Sequence, residues 1–216
     1  QSVLPQLPEG QTLINLSVTE RINVAQDEIV ADLRVEVEDR DASVVQNAIN
    51  EQMREGLIVA RAVTGVDAAT GHYSVYQINR QPQGGRADPV WRGSQSITLE
   101  SKDPQTLLSL AGELQDMGFV MSQLSYRLST ERADEVRDSL METAIARARA
   151  NAERAAAALG RPEVEIASLT IETGMSYAAP VMMRAMDTGS REMATPSAEA
   201  GESEVSLTVN VQAVAR

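Results

Sequence analysis

Apolar and polar residues alternate along much of the chain, which is typical of β-strands that bury one face. The clearest run is residues 28–39, with the apolar members Ile29, Ala31, Leu33, Val35 and Val37. The last run alternates in the same way through Val205, Leu207, Val209 and Val211. Weaker alternation predicts further strands over residues 12–20, 72–81, 90–100, 120–129 and 164–171. Because the other face of most of these strands is polar, the pattern favours antiparallel pairing with one side of the sheet in solvent.

Two shorter segments change to the apolar spacing of an amphipathic helix. The first can be capped by Asp41 or Ser43, and its apolar residues are Val45, Ala48, Ile49, Met53 and Leu57. The second begins at Asp103–Pro104, because aspartate accepts hydrogen bonds from free N–H groups and proline fits the first turn. Its apolar residues are Leu107, Leu108, Ala111, Leu114 and Met117, and Gly118 is a natural stop.

A long helix rich in alanine and arginine is predicted over residues 131–160. Its predicted buried stripe is Val136, Leu140, Ala144, Ala148, Ala152, Ala155 and Leu159, widened by Ile145. Gly160 ends the helix, with Pro162 just beyond. Because the side chains of the stripe are small, a sheet or another helix could approach this face closely.

The predicted order of elements is β-β-α-β-β-α-β-α-β-loop-β, and the predicted fold class is α+β. We expect a mostly antiparallel sheet with about three helices on one face. Residues 27–80 and 91–130 each have the order strand-helix-strand, so a duplicated strand-helix-strand unit is one interpretation.

The predicted organisation is a flexible lead-in over residues 1–11, which contains Pro5, Pro8 and Gly10, and one domain over residues 12–216. Within that domain, a loop rich in Met, Pro and Gly over residues 173–203 precedes the last strand. A loop of this length is usually functional or disordered.

Charge and composition exclude several classes of function. The 216 residues contain 31 Asp and Glu against 19 Lys and Arg, so the net charge of −12 disfavours nucleic acid as a partner. No apolar run reaches the ~18 residues that a transmembrane helix needs. The chain contains no cysteine, which excludes disulfides and thiolate chemistry and is compatible with an oxidising compartment.

No group of residues predicts catalysis or a cofactor, and we expect a protein that is not an enzyme. His72 is the single histidine and follows Gly71 at the start of a predicted strand, where most histidines are ordinary surface residues. Neighbouring acids could serve acid–base chemistry or calcium binding, but they lie on faces predicted to be exposed. The acids are Glu36 with Glu38, Asp134 with Glu135, and Glu202 with Glu204.

Methionines concentrate in the predicted loop and are the candidates for a soft-metal site. They are Met175, Met182, Met183, Met186 and Met193. Thioethers suit Cu(I) and are readily oxidised, so the loop could handle copper or oxidants. The alternative is an adaptable apolar contact surface, or a disordered segment.

Four segments together resemble the SIMPL family of bacterial domains of unknown function. They are residues 91–118, a strand followed by an acidic-proline helix start; 132–160, an Ala-rich helix that closes on Leu-Gly; 163–186, a strand that leads into a Pro- and Met-containing loop; and 201–214, the closing strand. The resemblance extends from about Thr12 to Val214.

This resemblance implies a protein secreted to the periplasm or cell envelope, with its signal peptide removed just before Gln1. It also implies a homo-oligomer, since some members form rings or channels, and a loose link to oxidative-stress defence. The family offers no established catalytic residues to carry over. We therefore expect a non-enzymatic, self-assembling scaffold or binding module without a cofactor and with envelope partners that the sequence does not identify.

Overall fold

Strands and helices follow one another in the predicted order in a computed structural model, which describes residues 8–80, 88–177 and 199–216. Those residues form seven strands and three helices. The strands are β1 (Thr12–Ala25), β2 (Glu28–Asp39), β3 (Asp67–Arg80), β4 (Asp88–Ser101), β5 (Val120–Arg127), β6 (Val164–Tyr177) and β7 (Glu202–Ala215). The helices are α1 (Ala42–Ala62), α2 (Pro104–Asp116) and α3 (Thr130–Ala158).

The elements divide into two compact units, each with its own antiparallel sheet and apolar core. Unit 1 contains β1, α3, β6 and β7, whereas unit 2 contains the elements from β2 to β5, all within Asp27–Arg127. The α+β class with antiparallel strands is confirmed, but the strands form two sheets where one was expected. The prediction of one domain over residues 12–216 does not distinguish these units.

In unit 2 the strand order is β3-β4-β2-β5, and all neighbouring strands are antiparallel. β2 connects through α1 to β3, which lies on the far side of β4. β4 connects through α2 to β5, which lies on the far side of β2. This is the split βαβ arrangement of ferredoxin-like folds. The two predicted strand-helix-strand stretches therefore occupy equivalent places in one sheet. The predicted apolar face of β2 is buried with residues of α1 and α2 in the core of this unit.

A glycine in β4 lets α1 lie close to the sheet of unit 2. A Cβ atom at Gly93 would overlap the side chains of Ile49 and Val45 on α1, and would lie 3.2 Å from Val75 on β3. Since only glycine lacks this atom, residue 93 sets how closely α1 approaches β4.

Both predicted helix starts in unit 2 are confirmed. Asp41 caps α1 by accepting a hydrogen bond from the Ser43 backbone N–H at 2.8 Å. Asp103 caps α2 by accepting from the backbone N–H groups of Gln105 and Thr106, with Pro104 as the first helical residue. The hydroxyl of Thr106 also donates to Asp103, and this bond holds the pKa of the Asp103 carboxyl below its ordinary value of 3.8.

Replacing Asp103 with alanine is expected to lower the melting temperature at neutral pH, and by less in acid. Because the pKa of Asp103 is depressed in the folded state, its contribution is present above the ordinary value of 3.8 and is lost as the pH falls through the folded pKa. Thermal unfolding of D103A and wild type at neutral pH and near pH 3 measures this difference. Asp116→Ala at the other end of α2 is the control, since an acid there caps no N–H group. An equal difference for D103A at both pH values would contradict the assignment.

In unit 1 the strand order is β1-β7-β6, with the last strand of the chain at the centre. β1 pairs with β7 from Thr12↔Ala215 to Ala25↔Glu202. The predicted alternation of β7 is confirmed: its odd-numbered residues are buried and its even-numbered residues face the other side of the sheet. This pairing between the two ends of the sequence produces the second sheet, and local alternation carries no signal for it.

The helix α3 packs its alanine stripe on β7 and β1. Its buried residues are Ala133, Val136, Leu140, Ala144, Ala148, Ala152 and Ala156. The prediction of Leu159 in this stripe is wrong, because the helix ends at Ala158 and Leu159 is 56% exposed as its C-cap. A sheet, rather than another helix, makes the predicted close approach.

Most of each of the two predicted irregular segments lies outside the described residues. Residues 1–7 of the lead-in and residues 178–198 of the loop are outside them. At the start of the predicted loop, β6 continues to Tyr177, so residues 173–177 belong to a strand. Among the three helices in the described part of the chain, none combines the length and the apolar character required to span a bilayer.

Candidate functional site

The acids singled out in the sequence are mostly held by arginines. The pairs are Glu36 with Arg34, Glu38 with Arg92, Asp134 with Arg137, and Glu135 with Arg132. Glu202 and Glu204 lie at the start of β7, the first exposed and the second half-buried. Throughout the described residues, no three His, Cys, Asp or Glu side chains come together in a way that could hold a metal ion. The pairing supports the interpretation of these acids as surface charges.

The single histidine lies at an irregular place in β3. The register with β4 shifts between Thr70 and Tyr73, which places His72 in a bulge beside Gly71. Its side chain is exposed. This position agrees with an ordinary surface residue.

The methionine candidates lie almost entirely outside the described residues. Met175 belongs to β6, where it pairs with Val205 of β7, and only its backbone is described. Met182, Met183, Met186 and Met193 lie outside the described ranges. Copper or oxidant handling by this segment therefore stays a prediction.

An arginine joins three strands where the chain enters and leaves unit 2. Arg127 on β5 donates to Glu28 on β2 at 2.6 Å and to Glu100 on β4 at 2.7 Å. The hydrogen bond to Glu28 raises the pKa of Arg127 above its ordinary value. A base with a raised pKa stabilises the fold at every pH below its ordinary pKa, so this contribution is constant around neutrality. The cluster has the character of a structural clamp.

The edge strand β6 exposes apolar side chains on the helix side of unit 1. We call Val164, Ile166, Leu169 and Ile171 the β6 strip. Ile166 is 36% and Leu169 38% exposed, because α3 lies over β7 and β1 and leaves this strand largely uncovered. Among the described residues β6 pairs only with β7, so its outer edge carries unpaired backbone groups. The alternation in the sequence predicts an apolar face for β6. It does not predict that β6 is an edge strand of its sheet.

The opposite face of the same sheet is polar. A shallow concavity of about 450 Å³ is lined there by hydroxyl and amide side chains, among them Ser17, Thr170, Asn210 and Gln212. On this face, polar side chains also bond across strands: Thr19 to Thr208 at 2.9 Å, and the lining residue Asn210 to Glu172 at 3.3 Å. The lining residues are uncharged, and hydroxyl and amide groups of this kind hydrogen-bond water readily.

Comparison with known proteins identifies a family. The family described as SIMPL, a protein of unknown function (DUF541), matches residues 14–213. This match confirms the resemblance seen in the sequence and spans both units. No curated protein matches the chain.

Two solved structures show a distant likeness. One, AtUAH in complex with glyoxylate, is 12% identical, with 48% of this chain and 27% of that chain covered, at a TM-score of 0.30. The other, a putative amidohydrolase/peptidase from Burkholderia cenocepacia, is 11% identical, with 50% and 28% covered, at a TM-score of 0.28. The matched part covers little more than a quarter of each of the two solved chains. Likeness at these TM-scores establishes neither fold nor function.

Proposed function

We propose that the chain, which belongs to the SIMPL family of proteins of unknown function, is a non-enzymatic protein of the periplasm or cell envelope that self-assembles into a scaffold or binding module. The observation that carries self-assembly is the β6 strip. Within the described residues, it combines exposed apolar side chains with an unpaired strand edge in a single element.

Each half of this combination favours contact with a second copy. An unpaired strand edge is a template for another strand, and natural proteins usually blunt it with charge, proline or a covering element. β6 carries Glu165 and Glu172 on its polar face and a register shift between Ile166 and Ser168. On the helix side, however, the β6 strip is apolar, and covering it removes apolar surface from water. A second copy of the chain that lies along β6 would satisfy the backbone edge and bury the strip together.

The neighbouring flank of α3 extends the surface available to a second copy. Arg147 reaches Glu20 on β1 at 2.7 Å, which fixes one flank of the helix on the β1 side. Met141 and Ile145 each follow a buried residue of the stripe by one position, so they lie on the other flank, toward β6. Both are partly buried apolar residues and widen the contact surface.

The other two parts of the proposal, a non-enzymatic role and an envelope location, are supported by observations outside β6. Four of the six acids singled out in the sequence are paired with arginines, and the single histidine is exposed. The envelope location and the link to oxidative-stress defence rest on the family resemblance. The cysteine-free composition is compatible with an oxidising compartment.

Replacing Leu169 with glutamate is expected to weaken self-assembly by on the order of 100-fold in dissociation constant. The change removes a buried contact and places a charge in the interface, together about 2–3 kcal/mol. Light scattering or sedimentation over a range of protein concentrations measures this shift. Salt should strengthen assembly of the wild type, because the net charge of −12 repels between copies.

The matched control is Thr170→Glu, the next residue of β6, which faces the polar side of the sheet. Circular dichroism of both variants checks that they are folded. We expect T170E to assemble like the wild type. A wild type that stays monomeric at high concentration and high salt, or equal assembly of L169E and wild type, would contradict the proposal.

A further inference from the structure

We propose that a groove between α1 and β3 in unit 2 binds an extended, acidic and apolar peptide segment of a partner protein. This inference rests on the proposed function as a binding module and names the class of ligand that the module would bind. It rests on a different unit from the β6 strip, so the two can fail separately.

The groove is a concavity of about 310 Å³ between one face of α1 and the edge of the sheet. Six residues of α1 line it at spacings of three and four, which places them on one face of the helix. Met53 is its buried floor, Leu57 is half-buried, and Ile58 at 62% is the most exposed large apolar side chain of the described residues. Thr70 of β3 lines the opposite wall.

The residues that line the groove include two arginines and no acid. Arg61 is exposed and makes no ion pair or hydrogen bond within the described ranges, and Arg54 is shared between Glu51 at 3.0 Å and Glu55 at 3.9 Å. In a protein of net charge −12, the guanidinium group of Arg61 beside an apolar floor favours a ligand that has both a carboxylate and an apolar side chain.

The strand beside the groove favours an extended ligand. Among the described residues β3 pairs only with β4, so the backbone groups along its outer edge are open to an added strand on either side of the bulge at Gly71 and His72. A peptide added to a strand edge gains main-chain hydrogen bonds and inserts alternate side chains into adjoining pockets. Tyr73 is exposed and pairs in register with Gln95, another lining residue, so it can contact the same peptide.

The groove is large enough for one or two side chains of a peptide, and it is small and open for a pocket that encloses a whole small molecule. Small-molecule pockets are mostly enclosed and span roughly 300–1,000 Å³. This groove is at the lower limit and is open along the strand. One or two side chains of an extended segment would fill it.

Selection of a random peptide library displayed on phage against the full chain tests the proposal. We expect enriched peptides that combine Asp or Glu with Val, Ile, Leu or Phe. Titration of the enriched peptides by fluorescence polarisation should show weaker binding to Arg61→Gln by at least about fivefold, and to Ile58→Ser by a similar factor. Both side chains are exposed, so neither change should prevent folding.

Arg21→Gln on β1 is the matched control, because Arg21 is also exposed and makes no ion pair or hydrogen bond within the described residues. It should bind the peptides like the wild type, and so should the L169E variant that is expected to be monomeric. Enrichment without acidic residues, no enrichment at all, or equal binding by R61Q would overturn the proposal. So would Arg61-dependent binding to phosphatidylglycerol vesicles in place of peptides.

Discussion

Replacing Ala148 with leucine is expected to lower the free energy of unfolding of unit 1 by about 3 kcal/mol. Ala148 is fully buried in the middle of the α3 stripe. The same core contains larger Ile, Val and Leu side chains of β1 and β7, so small residues on the helix complement large residues on the sheet. A leucine would need space that close packing does not leave, and either α3 or β7 would have to move.

Chemical denaturation measures this loss, with Ala150→Leu as the matched control. Ala150 lies two residues along the same helix and is exposed, so A150L adds the same atoms without overpacking. Hydrogen exchange should show the loss in unit 1 alone, because the core of unit 2 shares no residue with the core of unit 1. Equal stabilities of A148L and A150L would contradict the assigned packing.

A fragment of residues 27–127 is expected to fold without the rest of the chain, with a free energy of unfolding on the order of 5 kcal/mol. Unit 2 has its own core, and its sheet is complete within this continuous stretch. Its two ends lie side by side, because Glu28 and Arg127 are register partners on β2 and β5. The clamp from Arg127 to Glu28 and Glu100 is retained in the fragment.

Circular dichroism and the dispersion of amide NMR signals measure whether the fragment folds. A cooperative unfolding transition is the expected result, and Leu33→Ala should lower its stability by about 2–5 kcal/mol, because Leu33 is fully buried. A shorter fragment that ends before β5 should be unfolded, since it loses an edge strand and the clamp. A fragment 27–127 without a cooperative transition would show that unit 2 depends on unit 1.

The strands and helices were predictable because each depends on neighbouring residues. Alternation in β2 and β7 and the caps at Asp41 and Asp103 are local signals, and all are confirmed. The division into two sheets was not predictable, since it depends on the pairing of β1 with β7 across the length of the chain. The end of the α3 stripe was misread at Leu159 because the helical spacing continues in the sequence after the helix has ended.

The candidate surfaces were less accessible to sequence reasoning than the fold. Leu169 belongs to a predicted strand, and its exposure follows from the lateral position of α3 over β7 and β1. Arg61 and Ile58 read as part of an ordinary helix, and only the place of α1 beside the edge of the sheet makes them line a groove. A sequence pattern predicts which face of a helix or strand is apolar. A surface site also depends on which other elements lie beside that face, and the pattern does not contain this information.

Hydrogen exchange along β6 is the most direct test of the claim that copies of the chain meet at this strand. Alternate amides of an edge strand point away from its partner, so in β6 they are open unless another strand covers them. In the wild type these amides should exchange slowly at concentrations where the protein assembles, and quickly on dilution or in L169E. Rapid exchange of these amides at every concentration, in a protein that scattering shows to be assembled, would place the contact elsewhere.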